Sequence, residues 1–234
     1  MLRFVTDELQ AAEDCGERVG IIGHVPPSYD GSNPVVNGPN LFYSIVQRYS
    51  PHVIANVFFG HNHRDQFYLY YNYPSSKNTT FFTPGTYNTS TPLMTAWLAQ
   101  SLTTLGGLNG GFKYYDVDAS SFVIYEFHNY WANISVAKNE IAVPWSFLYS
   151  ARSTYDPNNT WPATAPLNAT FWDKVTGLME QNGTFVNTYN LYETRQSPST
   201  PNCTSQACHA EKFCYMRSGS QVQGAACGNK NGPN

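Results

Sequence analysis

The sequence predicts an α/β architecture followed by a helical, cysteine-stapled extension, and three observations lead to it. Two short apolar runs, Val19-Gly20-Ile21-Ile22 and Val53-Ile54-Ala55-Asn56-Val57-Phe58-Phe59, each hand over to a Gly-His step, as a buried strand does at its loop. The segment between them is long enough for a crossover helix, so the two strands can lie parallel. Four of the five cysteines crowd the tail, where Ser, Gly, Asn and Gln leave little apolar content for a core.

In chain order, residues 6–16 read as a helix, with Leu9 and Ala12 at helical spacing. The first strand, the loop carrying His24, a helix over about 39–49 and the second strand follow. After Asp65, residues 67–71 continue the sheet, and 73–92, rich in Asn, Thr, Ser and Pro, read as a glycosylated loop. Residues 94–99, 113–117 and 122–127 read as further strands. The pattern changes near residue 140, dividing the chain into 1–140 and 141–234. In the second part, 144–152 reads as a helix opened by Pro144. Residues 170–180 read as another, with Phe171, Trp172, Val175, Leu178 and Met179 on one face. That aromatic stripe is expected to pack against the α/β part, with peripheral membrane contact the weaker alternative.

Composition narrows the function. With 234 residues the chain can bury a substantial core, and 17 Tyr, 14 Phe and 5 Trp supply bulky side chains for it. A net charge of −3 and the lack of a Lys/Arg cluster exclude nucleic acid as an expected partner. No apolar run is long enough to span a bilayer, so no transmembrane segment is expected.

The candidate chemistry lies in Gly23-His24 and Gly60-His61-Asn62-His63. Neutral imidazole is a common zinc ligand, and three of the six histidines share the strand-Gly-His context. One residue separates His61 from His63, so an extended backbone would project both rings to one side, with the preceding glycines allowing a sharp turn. His52, His128 and His209, each alone, are expected to be solvated or hydrogen-bonded. A hydrolytic two-metal centre also needs carboxylates. The nearest, Asp65, reads as an acceptor for an imidazole N–H or as a loop cap, so the remaining ligands are expected elsewhere.

Cysteine usage and glycosylation signals point to an oxidising compartment, either extracellular or a lysosomal or vacuolar lumen. Cys203, Cys208, Cys214 and Cys227 can pair in three ways, with a zinc knuckle as the competing reading. Cys15 is left over, as a buried thiol or one without its partner. Seven sequons begin at Asn78, Asn88, Asn133, Asn158, Asn168, Asn182 and Asn202; with 22 Asn and 39 Ser plus Thr, about four would arise by chance. Residues 1–10 lack the apolar stretch of a signal peptide.

Several stretches together carry a family resemblance. They are Ala12-Glu13-Asp14 through Pro26-Pro27, Tyr43-Ser44-Ile45-Val46-Gln47-Arg48-Tyr49, Phe58-Phe59-Gly60-His61-Asn62-His63-Arg64-Asp65-Gln66-Phe67, Ser101-Leu102-Thr103-Thr104, Gly107-Leu108-Asn109-Gly110-Gly111-Phe112-Lys113-Tyr114-Tyr115-Asp116-Val117-Asp118, and Trp145 to Tyr155. Along nearly its whole length the chain resembles the second half of the acid sphingomyelinases, which are calcineurin-like metallophosphoesterases. The resemblance implies a β-sandwich flanked by helices, with metals on loops at strand ends. It implies two zinc ions, one bound by His24 and His61 and the other by His63, and a phospholipid substrate, sphingomyelin, cleaved to ceramide and phosphocholine. It also implies pairing of Cys203 with Cys208 and of Cys214 with Cys227.

The sequence departs from that family in what it lacks. It has no Asp-x-His tripeptide, and its one Asn-His pair is Asn62-His63 inside the later motif. The family's bridging Asp, its Asn ligand and the histidine that acts as general acid have no counterpart. The chain is therefore expected to be a fragment that is inactive alone. The alternatives are a secreted, non-catalytic glycoprotein that retains part of the fold, or a related polyphosphate or nucleotide phosphoesterase.

Overall fold

A computed structural model describes residues 1–28, 37–72, 91–136 and 144–228. The sequons at Asn78 and Asn88, most of the 73–92 loop expectation and the division at residue 140 fall outside the described residues.

Helix α1 (Leu2–Cys15) ends in Gly16 at φ 70°, a left-handed cap that glycine adopts without a Cβ clash. Strand β1 (Val19–Ile22), helix α2 (Asn37–Tyr49) and strand β2 (Ile54–Phe59) form the first crossover, and β1 and β2 run parallel. Strands β3 (Gln66–Asn72) and β4 (Thr91–Leu98) complete a four-stranded sheet in the order β1-β2-β4-β3, with β4 parallel to β2 and β3 antiparallel to β4. A second, antiparallel sheet has the order β5-β6-β7, from β5 (Gly110–Val117), β6 (Ile124–Ala132) and β7 (Ser146–Ser150).

The first sheet is apolar on both faces because both are covered. In β3, Tyr68 and Tyr70 face a core shared with Leu9 and Ala12 of α1 and Phe42, Tyr43 and Val46 of α2. Phe67, Leu69 and Tyr71 alternate to the other side and meet Phe127 of β6 and the helices that follow. That second core centres on Trp172 of α4 (Ala169–Gln181), which stacks on Phe127 with ring centroids 5.8 Å apart and meets Phe67 at 4.7 Å and Trp97 at 5.2 Å. The stripe Phe171, Trp172, Val175 and Met179 is buried, so it is core and not a membrane-facing surface.

One expected element is corrected. Residues 144–152 do not form a helix: 146–150 are strand β7, and helix α3 covers only Ala151–Tyr155. Phe147 pairs with Tyr130 and Tyr149 with Asn129 across a register shift, with Phe147 exposed and Tyr149 buried, and β7 satisfies the free edge of β6 with hydrogen bonds that a helix would leave unmade. Because β6 pairs with β7, one sheet joins residues on the two sides of position 140.

Helix α4 is capped by the Asn168 side chain and α5 (Gly183–Glu193) by that of Asn182. In the tail, α6 (Gln206–Met216) is capped by Ser205, and α7 (Gln221–Ala225) starts with a Ser220–Gln223 capping box. Disulfides join Cys203 to Cys208 and Cys214 to Cys227. Cys15 is a free, exposed thiol at the end of α1, not a buried one.

Candidate functional site

Parallel pairing of β1 with β2 sets the site. The register Ile22↔Phe58 brings the carboxyl ends of both strands to one sheet edge, and Gly60 N–H donates to the His24 carbonyl at 2.9 Å. The His24 and His61 rings therefore meet edge to face, with centroids 5.4 Å apart, and both residues are exposed. The fold thus brings His24 and His61 into ring contact.

His63 is positioned differently. His61 has φ 82° and His63 φ 63°, so the segment is left-handed at both residues and not extended. The expectation that both rings project to one side of an extended backbone is corrected on that ground. Neither Gly23 nor Gly60 has a positive φ: a Cβ on Gly60 would make ordinary contact with His24, whereas one on Gly23 would fall 2.9 Å from the Phe59 ring, so Gly23 serves close packing and not the turn itself. Asn62 stabilises the turn by accepting from Arg64 N–H at 3.1 Å and donating to the Gln66 side-chain oxygen.

Asp65 does not face the histidines. It is buried, and its carboxylate accepts from Lys113 Nζ, from Asn129 Nδ2 at 2.8 Å and from the Tyr149 hydroxyl at 2.7 Å. The Lys113 ammonium also lies over the rings of Phe127, Trp97 and Tyr115, at 4.6, 5.5 and 5.6 Å from their centroids. Asp65 thus neutralises a buried cation and is neither an imidazole acceptor nor a loop cap. With so close a carboxylate, ionising Tyr149 is unfavourable, and burial first and Asp65 second hold its pKa well above the usual phenol value.

Sequence reasoning missed the layer behind this loop. Glu193 is fully buried and its carboxylate accepts from Gln66 Nε2 at 2.8 Å, Arg64 Nη1 at 3.3 Å and Lys212 Nζ. Arg195, also fully buried, donates to main-chain carbonyls of His63, Asn109 and Glu193. Desolvation draws its guanidinium pKa down to about 10, which leaves it protonated at neutral pH. The other histidines behave as expected of isolated ones: His128 contacts Asp116 at 2.9 Å, and His209 contacts Asn187 and the Cys203 carbonyl at 2.9 Å.

No protein-family model matches the chain. Individual proteins do. It is 36% identical to human sphingomyelin phosphodiesterase over 231 residues, which is 97% of this chain and 32% of that protein. It is 34% identical to the bovine protein of the same name over 232 residues, 97% of this chain and 33% of that one. It is 28% identical to sphingomyelin phosphodiesterase B of Dictyostelium discoideum over 236 residues, 97% of this chain and 33% of that one. Over nearly its whole length the chain is similar to sphingomyelin phosphodiesterases. It spans about a third of the length of the curated relatives it matches.

For a sphingomyelin phosphodiesterase, the zinc implied by the resemblance needs a donor set, and the described residues do not supply a complete one. Among them, no group of three or more His, Cys, Asp or Glu is arranged to hold a metal ion. His24 and His61 form a pair of imidazoles, and the nearest carboxylate in sequence, Asp65, is committed to Lys113. Asp118 is occupied as well: it accepts from the hydroxyls and backbone N–H groups of Ser120 and Ser121, which hold its pKa below the usual carboxylate range. Among the described residues, no helix is long and apolar enough to cross a membrane.

Proposed function

We propose that this chain, by itself, is a non-catalytic module that retains part of the sphingomyelin phosphodiesterase fold. The observation that carries this reading is the ligand deficit: a His24–His61 pair at the strand ends with no third donor grouped with it among the described residues. Two neutral imidazoles offset none of the charge of a dication, and a hydrolytic site also needs a proton donor for its leaving group. No hydrolytic step is therefore assigned to these residues.

The reaction to which the module is related is hydrolysis of a phosphodiester, with sphingomyelin as substrate and zinc as cofactor. The relatives' names and the Gly-His elements support that chemistry wherever the lacking ligands are supplied. On this reading His24, His61 and His63 are the ligands this chain would contribute. The two disulfides and the sequons support a secreted or lumenal setting with attached glycans.

The test is to measure phosphocholine release from sphingomyelin in detergent micelles by the purified 234-residue chain, with and without added zinc. We expect release no greater than in a protein-free blank. Zinc-dependent, saturable turnover would replace this reading with that of a complete hydrolase.

A further inference from the structure

We propose that Arg195 is a positioning residue for the His61–His63 loop, so that the carboxyl-terminal helical region sets the geometry of the histidine surface. The inference rests on the reading above that this surface is the functional one.

The loop needs support from outside. Two consecutive-but-one residues with a Cβ, His61 and His63, occupy the left-handed region, which side chains other than glycine's rarely adopt. The local hydrogen bonds of Asn62 reach Gly60, Arg64 and Gln66, and Gly60 in turn donates to the His24 carbonyl. Further ties come from residues more than a hundred positions later. Arg195 Nη1 donates to the His63 carbonyl at 2.8 Å and to the Glu193 carbonyl at 3.1 Å, while Nε donates to the Asn109 carbonyl at 2.6 Å. One rigid, planar group therefore joins the histidine loop, the start of β5 and the end of α5. Lysine, with a single rotatable ammonium, cannot reproduce that fork.

The cost of the arrangement also argues for a role beyond filling space. Arg195 is fully buried, yet each of its three hydrogen-bond acceptors is a main-chain carbonyl and not a carboxylate. A buried cation without a directly bonded counter-ion is an expensive way to occupy volume that an apolar side chain would fill. Arg195 and Gln196 are themselves at φ 54°, so the turn that presents the guanidinium is also held out of the ordinary regions. Close packing leaves no slack: a Cβ on Gly111 would fall 2.5 Å from Arg195 Cδ, so β5 passes the side chain where only glycine fits.

The experiment uses the whole chain with isotope-labelled histidine and compares R195Q, R195K and a control, M179A, which opens the buried core around α4. Histidine ring and backbone resonances are recorded, then followed through a titration with zinc chloride alone. We expect R195Q to shift or broaden the His61 and His63 signals and to weaken zinc binding at the pair by at least tenfold. R195K should fall between wild type and R195Q, and M179A should lower the melting temperature while leaving these signals in place. If R195Q does not fold, the R195K comparison decides. His61 and His63 signals in the arginine variants that superimpose on wild type, or that change no more than in M179A, would overturn the proposal. Absence of any zinc-dependent change in wild type would instead overturn the reading of His24, His61 and His63 as zinc ligands, while the zinc-free spectra still decide the role of Arg195.

Discussion

Asp65 and Glu193 are joined directly, the Asp65 N–H donating to the Glu193 carbonyl at 2.9 Å, and each carboxylate pairs with a different buried lysine, Lys113 and Lys212. The acids next to the histidine loop are thus spent inside the protein, on cations that the fold has removed from water. Such pairs add little net stability when intact, but losing one partner strands the other.

That asymmetry gives the first expectation. D65L leaves the Lys113 ammonium buried without its carboxylate and should cost about 3–5 kcal/mol in denaturant unfolding. The D65L/K113M double substitution should recover a large part of the loss, because the charge goes with its partner. Additive effects in that cycle would show that the two groups are not coupled.

Acid stability should depend on Asp156. Burial raises its pKa, but hydrogen bonds from the Thr160 hydroxyl and the Trp161 and Thr160 N–H groups outweigh this, so the net shift is downward. A carboxylate with a lowered folded-state pKa contributes stability above its unfolded value, about 4, and loses it as pH falls through the folded value. D156N should therefore be less stable than wild type at pH 7, by roughly 1–2 kcal/mol, with the gap closing toward pH 2. A gap that stays constant across this range in pH-dependent unfolding would count against it.

Asn168 combines a sequon with a helix cap, its Oδ1 accepting from Phe171 N–H at 3.1 Å while the residue remains exposed. In unglycosylated protein, N168A should destabilise by about 1 kcal/mol and N168D by much less, since aspartate keeps the accepting oxygen. In protein from a secretory host, peptide mapping should find glycan at exposed Asn158, Asn168, Asn182 and Asn202. Equal effects of the two substitutions on the melting temperature would remove the capping role.

The disulfide Cys214–Cys227 ties α6 to the end of α7, in a region whose helices are short. Replacing both cysteines with serine should cost about 2–5 kcal/mol. It should also raise amide exchange in α7 before it does so in α4, whose apolar face is anchored in the main core. Uniform exchange across both helices would argue that the tail unfolds only with the whole domain.

Much of the fold was legible because its signals are local. The repeated strand-Gly-His pattern pointed to β1, β2 and histidines at their ends, the family resemblance implied that His24 and His61 come together, and helical spacing pointed to α1 and α4. Residues 144–152 misled because Pro144 suits a helix start, while Trp145, Phe147 and Tyr149 recur at the period of a strand; the need of β6 for an edge partner decided between them. The left-handed turn at His61 and His63 is carried by residues with a Cβ and not by Gly60, where the sequence placed it. Glu193 and Arg195 lie in a polar stretch that reads as solvated, and their burial arises only from contacts with Gln66, Asn109 and His63, far away in sequence.

The most direct test of the central claim, that the described residues hold a histidine pair but no complete two-metal centre, is zinc stoichiometry. The purified chain is dialysed against micromolar free zinc, and bound metal is measured by elemental analysis for wild type, H24A and H61A. We expect less than one zinc per wild-type chain and a further loss in both variants. Two zinc ions per chain, held after removal of free metal, would contradict the account and show that the chain assembles a full ligand set.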